Sequence, residues 1–401
     1  MDPITHGITG ALLGKGFFSK REARVGIFAA TLGAVFPDVD VFIEAFSHDP
    51  LAIVKYHRGI THSFAGLPFF AAFLAWLTRR IARRFGMEAP TWPVLTLIYG
   101  VGIASHIILD GMTSFGTRMW TPFSQERVSW DLLFIIDFTF TAIVLLPQVT
   151  AWIYARRENN QRRAAIMWVL FSFAAWGAWM IAASVGSPFH KWIVVLVSAV
   201  LALLFFLPAA RGWGFRISRA VWCQAGACIM LAYLFACAAA HHSALGRVKD
   251  FAAANHIAVV RMAALPVPPS FLDWGGEILT PDGVYHTQFD LREKQPPAFR
   301  FYADSPADGF TPRAMQLPEV QLYWTFARFP VIRTKYDGPH HIVEFGEHRF
   351  ISRNTSNPPP FTYHVVFDAA GNVVEQGWYS DALQIRRTQQ SKAEGAGKKA
   401  P

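Results

Sequence analysis

Cysteine and charge are both scarce in this 401-residue chain. It holds three cysteines, Cys223, Cys228 and Cys237, all in one apolar stretch, and an odd number inside one helix-length segment excludes a disulfide framework. Charged residues make up 16% of the chain and hydrophobic residues 52%, whereas a soluble domain carries about 25% charged residues. An ordinary soluble globule is thereby excluded for most of the length. Acidic residues are outnumbered, 28 against 37 Lys and Arg. The excess does not mark a nucleic-acid surface, because many of the basic residues sit in short loops between apolar runs, the positive-inside pattern of a membrane protein. No basic n-region precedes the first apolar run, and Asp2 and His6 interrupt it, so a cleavable signal is not expected and the first helix is expected to be retained.

The composition divides the chain into unlike parts. Residues 1–245 read as a membrane-embedded helical domain, residues 246–388 as a Pro-rich, polar and aromatic β domain, and residues 389–401 as a disordered basic tail. Spanning takes about 20 apolar residues in a helix, and segments 25–46, 63–79, 92–114, 131–155, 164–186, 190–208 and 219–241 qualify. The run 4–18 is marginal. The fold class expected is therefore an α-helical multi-pass membrane domain of seven to eight helices followed by a small, mostly antiparallel β domain. Lys15, Lys20, Arg21 and Arg24, the cluster Arg79, Arg80, Arg83 and Arg84, the cluster Arg156, Arg157, Arg162 and Arg163, and Arg211, Arg216 and Arg219 are all assigned to the cytoplasmic side. The alternation closes without contradiction and leaves the C-terminal domain outside the cytoplasm.

That topology delivers seven polar side chains from separate segments to one leaflet: His6, Asp38, Asp40, His57, His62, His106 and Asp110. An ionisable group at the bilayer centre costs about 3 kcal/mol or more, so those that persist mark function. His106 and Asp110 stand at i and i+4 on one helix face, a spacing that serves a metal ligand pair or a hydrogen-bonded core pair equally well. Pro37 predicts a break at Phe36-Pro37-Asp38-Val39-Asp40, which either bends both carboxylates into one cavity or leaves them solvated at the interface. His57 is placed on a loop and His62 in the first turn of a helix, with Thr61 near its N-cap. Arg58 and Gly59 then fall at a helix N-terminus, where Arg58 holds a phosphate or carboxylate or anchors to lipid headgroups. Carboxylates mixed with imidazoles suit Zn²⁺, Mn²⁺ or Fe²⁺. His6, Asp38, His57, His62, His106 and Asp110 are the candidate ligands of one or two divalent ions, Zn or Mn. Asp40 and Arg58 are the candidate catalytic residues, and Thr61 and Ser63 are candidates for orienting the ligands. His48, Asp49 and Asp131 read as loop or cap residues, and Asp137 as a group that hydrogen-bonds between helices.

The strings T-H-x-x-x-G at 5–10, P-D-x-D at 37–40, H-R-G-x-T-H-S at 57–63, S-H-x-x-x-D at 105–110 and W-x-P-F at 120–123 resemble the YdjM-type family of inner-membrane proteins, regarded as metal-dependent hydrolases and formerly a domain of unknown function. The resemblance covers about the first 125 residues. It implies a multi-helix enzyme of the bacterial inner membrane with its site in the N-terminal half, and it supplies no substrate. The ligand set is also similar to that of zinc-dependent phospholipase C and fungal zinc nucleases, which tilts the expected substrate toward a phosphoester.

In the C-terminal region, runs at Gly283–Phe289, Val320–Phe326, His341–Phe345 and Phe361–Phe367, with turns at Asp337-Gly338-Pro339 and Ala369–Asn372, predict strands. The expected function is a membrane-bound metal-dependent hydrolase acting on a lipid-linked or membrane-proximal ester through metal-activated water. The alternative is a non-catalytic membrane anchor whose β domain binds a partner. A transporter is disfavoured by the one-sided clustering and by segments 164–241, which carry almost no polar group at mid-depth.

Overall fold

The computed structural model describes residues 1–18, 23–47, 49–184, 190–268, 271–306, 308–351 and 359–379. His48, Lys20, Arg21 and the tail from Gln389 lie outside the described residues.

Asp2 starts the first helix, α1 (Pro3–Phe17), by accepting the Thr5 N–H at 2.9 Å, and Pro3 occupies its first turn. Helix α2 (Ala23–Val35) runs into a 3₁₀ turn at Phe36–Asp40 and then α3 (Val41–Phe46), so Pro37 tightens the helix without ending the span. The short α4 (Ala52–Lys55) and a 3₁₀ turn at Ile60–His62 precede α5 (Leu67–Arg84) and α6 (Trp92–Gly111). An irregular segment, 112–137, held by bridges Thr113–Leu133 and Thr117–Val128, leads to α7 (Phe138–Ile153), which Asp137 caps by accepting the Phe140 N–H. Helices α8 (Asn160–Ser184) and α9 (Lys191–Ala210) form a pair, and α10 (Arg219–Ala254) closes the helical part.

Among the described residues five helical stretches are long and apolar enough to cross a membrane: Arg24–Ile43, Trp92–Gly111, Asn160–Ile181, Lys191–Ala210 and Arg219–Ala254. The expected span at 63–79 is not among them. Residues from Ser63 to Gly66 precede the helix, and Arg79, Arg80, Arg83 and Arg84 lie within it, so its apolar part stops near Leu77. The span expected from residue 131 begins instead at Phe138 and is shorter, because the preceding residues belong to the irregular segment.

Glycine lets α1, α2 and α6 approach closely, as small residues do in membrane interfaces. A β-carbon on Gly10 would sit 2.5 Å from the Ala30 carbonyl oxygen, and one on Gly102 would sit 2.6 Å from the same atom. Helix α10 has 36 residues, about 54 Å at 1.5 Å per residue, more than a bilayer core needs. Its C-terminal turns leave the helical layer and pack on the first sheet through Ala244, Val248 and Ala252 against Ala264, Trp274 and Ile278.

That sheet is an antiparallel meander of β1 (Arg261–Pro266), β2 (Asp273–Thr280), β3 (Gly283–Asp290) and β4 (Arg300–Ala303). Two short helices follow, α11 (Thr311–Met315) and α12 (Pro318–Phe326). A second antiparallel meander comprises β5 (Pro330–Asp337), β6 (His340–Glu347), β7 (Tyr363–Phe367) and β8 (Val373–Trp378). The run Val320–Phe326, expected as a strand, is helical. Pro318 and Glu319 occupy its first turn, and Val320, Tyr323 and Phe326 recur at helical spacing and are buried. The turn expected at Asp337-Gly338-Pro339 joins β5 to β6, with Asp337 opposite His340.

The second sheet and α12 pack onto the loops at one end of the helical part. Leu51, Val54 and Phe115 share a core with Tyr323, Phe326, Phe345 and Tyr363. Arg328 grips Asp131 with two nitrogens, at 2.8 and 2.9 Å, and Arg349 donates to the Ser114 carbonyl at 2.8 Å.

Candidate metal centre

The end of the helical part beneath the β domain collects the polar residues. The Pro37 turn presents Asp38, the 3₁₀ turn at Ile60–His62 presents His62, and α6 presents His106 and Asp110 one turn apart. One ligand atom from each of these four lies within 4.8 Å of all the others. His62 Nε2 lies 3.0 Å from His106 Nε2, 3.5 Å from Asp38 Oδ1 and 3.4 Å from Asp110 Oδ2. His106 Nε2 lies 3.4 Å from Asp38 Oδ1 and 3.5 Å from Asp110 Oδ2. His62, His106 and Asp110 are fully buried, and Asp38 keeps 12% of its side chain exposed.

Hydrogen bonds on the far side of each ring fix which nitrogen faces the centre. His106 Nδ1 is 2.7 Å from the Ala34 carbonyl oxygen, which only accepts, so Nδ1 carries the hydrogen and Nε2 presents a lone pair. His62 Nδ1 lies 3.2 Å from Asp40 Oδ2 and 3.0 Å from Thr61 Oγ1, which orients Nε2 inward in the same way. Two ring nitrogens and two carboxylates thus converge; Asp38 Oδ2 finds no hydrogen-bond donor among the described residues, and Asp110 Oδ2 meets the Arg58 guanidinium in an ion pair. Donors on a tetrahedron with bonds of about 2.0–2.1 Å stand about 3.3 Å apart. Five of the six donor spacings, 3.0–3.5 Å, match a shell around one divalent cation, and the sixth, Asp38 to Asp110, lies within 4.8 Å.

The other sequence-predicted residues surround this set. Asp40 accepts from His57 Nδ1 at 2.9 Å, from the Arg58 backbone N–H at 2.9 Å and from Thr61 Oγ1 at 2.9 Å, in addition to facing His62. His57 is held by Asp40, and 15% of its side chain is exposed. His6 stacks on the His106 ring at 3.6 Å and meets Asp110 Oδ1 at 3.1 Å. Arg58 adopts a left-handed backbone (φ 59°) and turns its guanidinium onto Asp110, with Nε 2.9 Å from Oδ2 and Nη2 3.1 Å from Oδ1. The Met1 amine also contacts Asp110 Oδ1. Ser63 caps the turn, its Oγ accepting the Gly66 N–H at 2.9 Å.

Helix α5 begins at Leu67, so Arg58 and Gly59 do not stand at its N-terminus as the spacing suggested; Arg58 answers a carboxylate of the chain itself. Asp49 and Asp131 occupy loops, and Asp137 accepts from Tyr233 on α10 at 2.8 Å, the interhelical bond that was expected. Sequence reasoning missed the Ala34 carbonyl, which carries no side-chain signal, Thr113, at the end of the expected span 92–114, and Phe115, Arg118 and Arg127, in the loop between that span and the one expected from residue 131.

The model of the YdjM inner membrane protein family matches residues 1–185, which include every residue of this cluster. Over 145 residues the chain is 31% identical to inner membrane protein YbcI of Escherichia coli (strain K12), an alignment that covers 34% of this chain and 78% of YbcI. The chain belongs to the YdjM inner membrane protein family. No solved structure matches it. As a YdjM-family membrane protein it sets its buried His/Asp cluster within the matched region, whereas the β domain lies outside that match.

Proposed function

We propose that this YdjM-family protein is a membrane-bound metal-dependent hydrolase of a lipid-linked or membrane-proximal ester, with one divalent ion held by Asp38, His62, His106 and Asp110. The observation that carries the reading is the convergence of two imidazole nitrogens and two carboxylate oxygens within 4.8 Å of one another. A bound divalent ion supplies Lewis acidity and makes hydroxide accessible near neutral pH.

The chain's own residues divide the remaining work. Asp40 is saturated by donors and serves to orient His62 and His57 rather than to take a proton. His57, pinned through Nδ1 and partly exposed, is the group placed to accept and return a proton through Nε2. Arg58 and His6 fix Asp110, and Arg58 balances its charge. Four protein donors complete a tetrahedral zinc shell, whereas a six-coordinate ion such as Mn²⁺ keeps positions for water, so a hydrolytic centre favours the second. Zinc with all four donors would instead support the other reading, a structural staple beneath a partner-binding β domain.

By the positive-inside reading of the arginine-rich loops, we take the centre and the β domain to lie outside the cytoplasm. Elemental analysis of the detergent-purified full chain, paired with hydrolysis assays on phosphoester and carboxylic ester substrates, tests the reading. About one ion per chain and an activity lost in His57→Ala are expected. A well-folded protein without stoichiometric metal would refute it.

A further inference from the structure

The arginines around the centre fall into two groups. Arg58, Arg328 and Arg349 each face a carboxylate, Asp110 at 2.9 Å, Asp131 at 2.8 Å and Glu347 at 3.2 Å. Arg118 and Arg127 make no ion pair among the described residues, although the charge of Asp40 reaches Arg118 without a contact. Arg118 donates to the Lys55 carbonyl at 2.6 Å and to Gln125 Oε1 at 3.3 Å, and its Nε finds no acceptor. Arg127 donates only to the carbonyls of Val54 and Gly116, at 2.8 and 3.5 Å.

Both stand beside the metal cluster. The Arg118 backbone N–H bonds the Arg58 carbonyl at 3.3 Å, and its guanidinium lies against Gly59, between His57 and His62 in the chain. The Arg127 guanidinium lies 5.8 Å over the Phe115 ring, the ring that His57 meets at 5.9 Å and Arg58 at 4.8 Å. Burial, followed by the positive charges of Arg118, Arg58 and Arg349, pushes Arg127 down to about 9. The fold therefore keeps two guanidiniums together beside a carboxylate-rich centre and gives them only neutral oxygens as hydrogen-bond partners. Val39, next in sequence to Asp38, and Tyr56, next to His57, are exposed apolar side chains, as are Phe42 and Ile60 a few residues away.

We propose that Arg118 and Arg127 are the phosphate-binding rim of this centre, and that the ester is a phosphoester borne by an amphiphile whose apolar chain meets those exposed apolar side chains. The proposal rests on the hydrolase reading and names its substrate class. A guanidinium offers phosphate a planar, two-pronged set of donors, and the aromatic ring beneath Arg127 holds one such fork in place.

The test uses the full chain in phosphatidylcholine nanodiscs, as wild type, Arg118→Gln, Arg127→Gln and Arg118→Lys. Orthophosphate binding is measured by equilibrium dialysis and metal content is measured in parallel. Each Gln variant is expected to bind orthophosphate about tenfold more weakly or worse with its metal content unchanged, and Arg118→Lys is expected to recover part of the loss. Phosphatidate included in the nanodisc is expected to displace orthophosphate. Arg-dependent binding that phosphatidate does not displace would assign the rim to a water-soluble phosphoester and overturn the amphiphile. Unchanged affinity in Arg118→Gln, whose partly exposed side chain can be replaced without opening a core, would overturn the rim itself. Arg-dependent phosphate binding in a wild type that holds no metal would keep the rim and sink the hydrolase reading.

Discussion

His62 and His106 bring their Nε2 atoms to 3.0 Å while each commits Nδ1 to an oxygen on its far side, Asp40 for His62 and the Ala34 carbonyl for His106. Two imidazole lone pairs at that distance repel unless a cation lies between them. Removing either ring takes away one of the two nitrogen donors. His106→Ala and His62→Ala are therefore expected to weaken divalent-metal affinity by more than the about 10–100-fold that loss of an outer hydrogen-bond partner costs. Chelator competition on the purified variants reads the change, and retention of a stoichiometric ion in both would contradict a site built on these rings.

Asp40 predicts a graded effect. It touches His57, the Arg58 N–H, Thr61 and His62 but lies outside the four converging donors. Asp40→Asn keeps the shape and loses the charge that holds both imidazoles. Metal affinity is expected to fall by about 10–100-fold, with occupancy recovered at high metal concentration and activity not recovered, because His57 is left misaligned. Full activity at saturating metal would show that Asp40 has no orienting role.

Much of this centre was legible because the polar residues stand out against an apolar background. His106 and Asp110 at helical spacing face one point, and Pro37 turns Asp38 and Asp40 apart while keeping both in one cluster. The outer partners were not legible. The acceptor for His106 is a backbone carbonyl on α2, brought into range by glycine packing that leaves no side-chain pattern. Arg58 read as a residue for an external anion because spacing alone could not show that α5 starts at Leu67 and that Asp110 lies within reach. In the β domain Val320–Phe326 misled because its aromatic, β-branched residues favour strand locally, whereas Pro318 and the burial of one helical face decide for a helix.

Gly102 links packing to the site. A β-carbon there would meet the Ala30 carbonyl oxygen at 2.6 Å and the Ala34 nitrogen at 2.8 Å, pushing α2 from α6 and carrying away the carbonyl that orients His106. Gly102→Ala is expected to cost about 1–3 kcal/mol through overpacking and to lower metal affinity together with Tm. A variant with native affinity and a lowered Tm would separate the helix contact from the ligand geometry.

Arg328 and Asp131 fasten the β domain to the loop that follows the centre. Asp131 is buried and adopts a left-handed backbone (φ 55°), a conformation that Asp tolerates better than most residues. Arg328→Ala leaves that carboxylate buried without its partner, and a loss of about 3 kcal/mol is expected. The double variant Arg328→Ala with Asp131→Asn is expected to lose less than the sum of the single variants. Chemical denaturation in detergent measures the cycle, and strict additivity would show that the pair does not couple the two parts.

Glu277 gives the β domain a pH dependence with a definite sign. It is 1% exposed on β2, its Oε1 lies 2.6 Å from His286 Nδ1, and Oε2 has no donor among the described residues. Burial pushes its carboxyl up from 4.5 to about 7, the His286 charge and hydrogen bond opposing and Glu347 adding to the rise. The folded state thus binds this proton more tightly than the unfolded chain does. The resulting stabilisation is complete below about pH 4.5, shrinks as the pH rises and is gone above about pH 7, an effect of at most about 3 kcal/mol. Glu277→Gln removes the titration while keeping the volume and a hydrogen-bonding oxygen. The wild-type Tm is expected to fall between about pH 5 and about pH 8 more steeply than that of the variant, and the difference between the two curves isolates Glu277 from the carboxylates of the His/Asp cluster, which both proteins share. Parallel curves across that range would show that the carboxyl is already ionised where it sits, with His286 outweighing the burial.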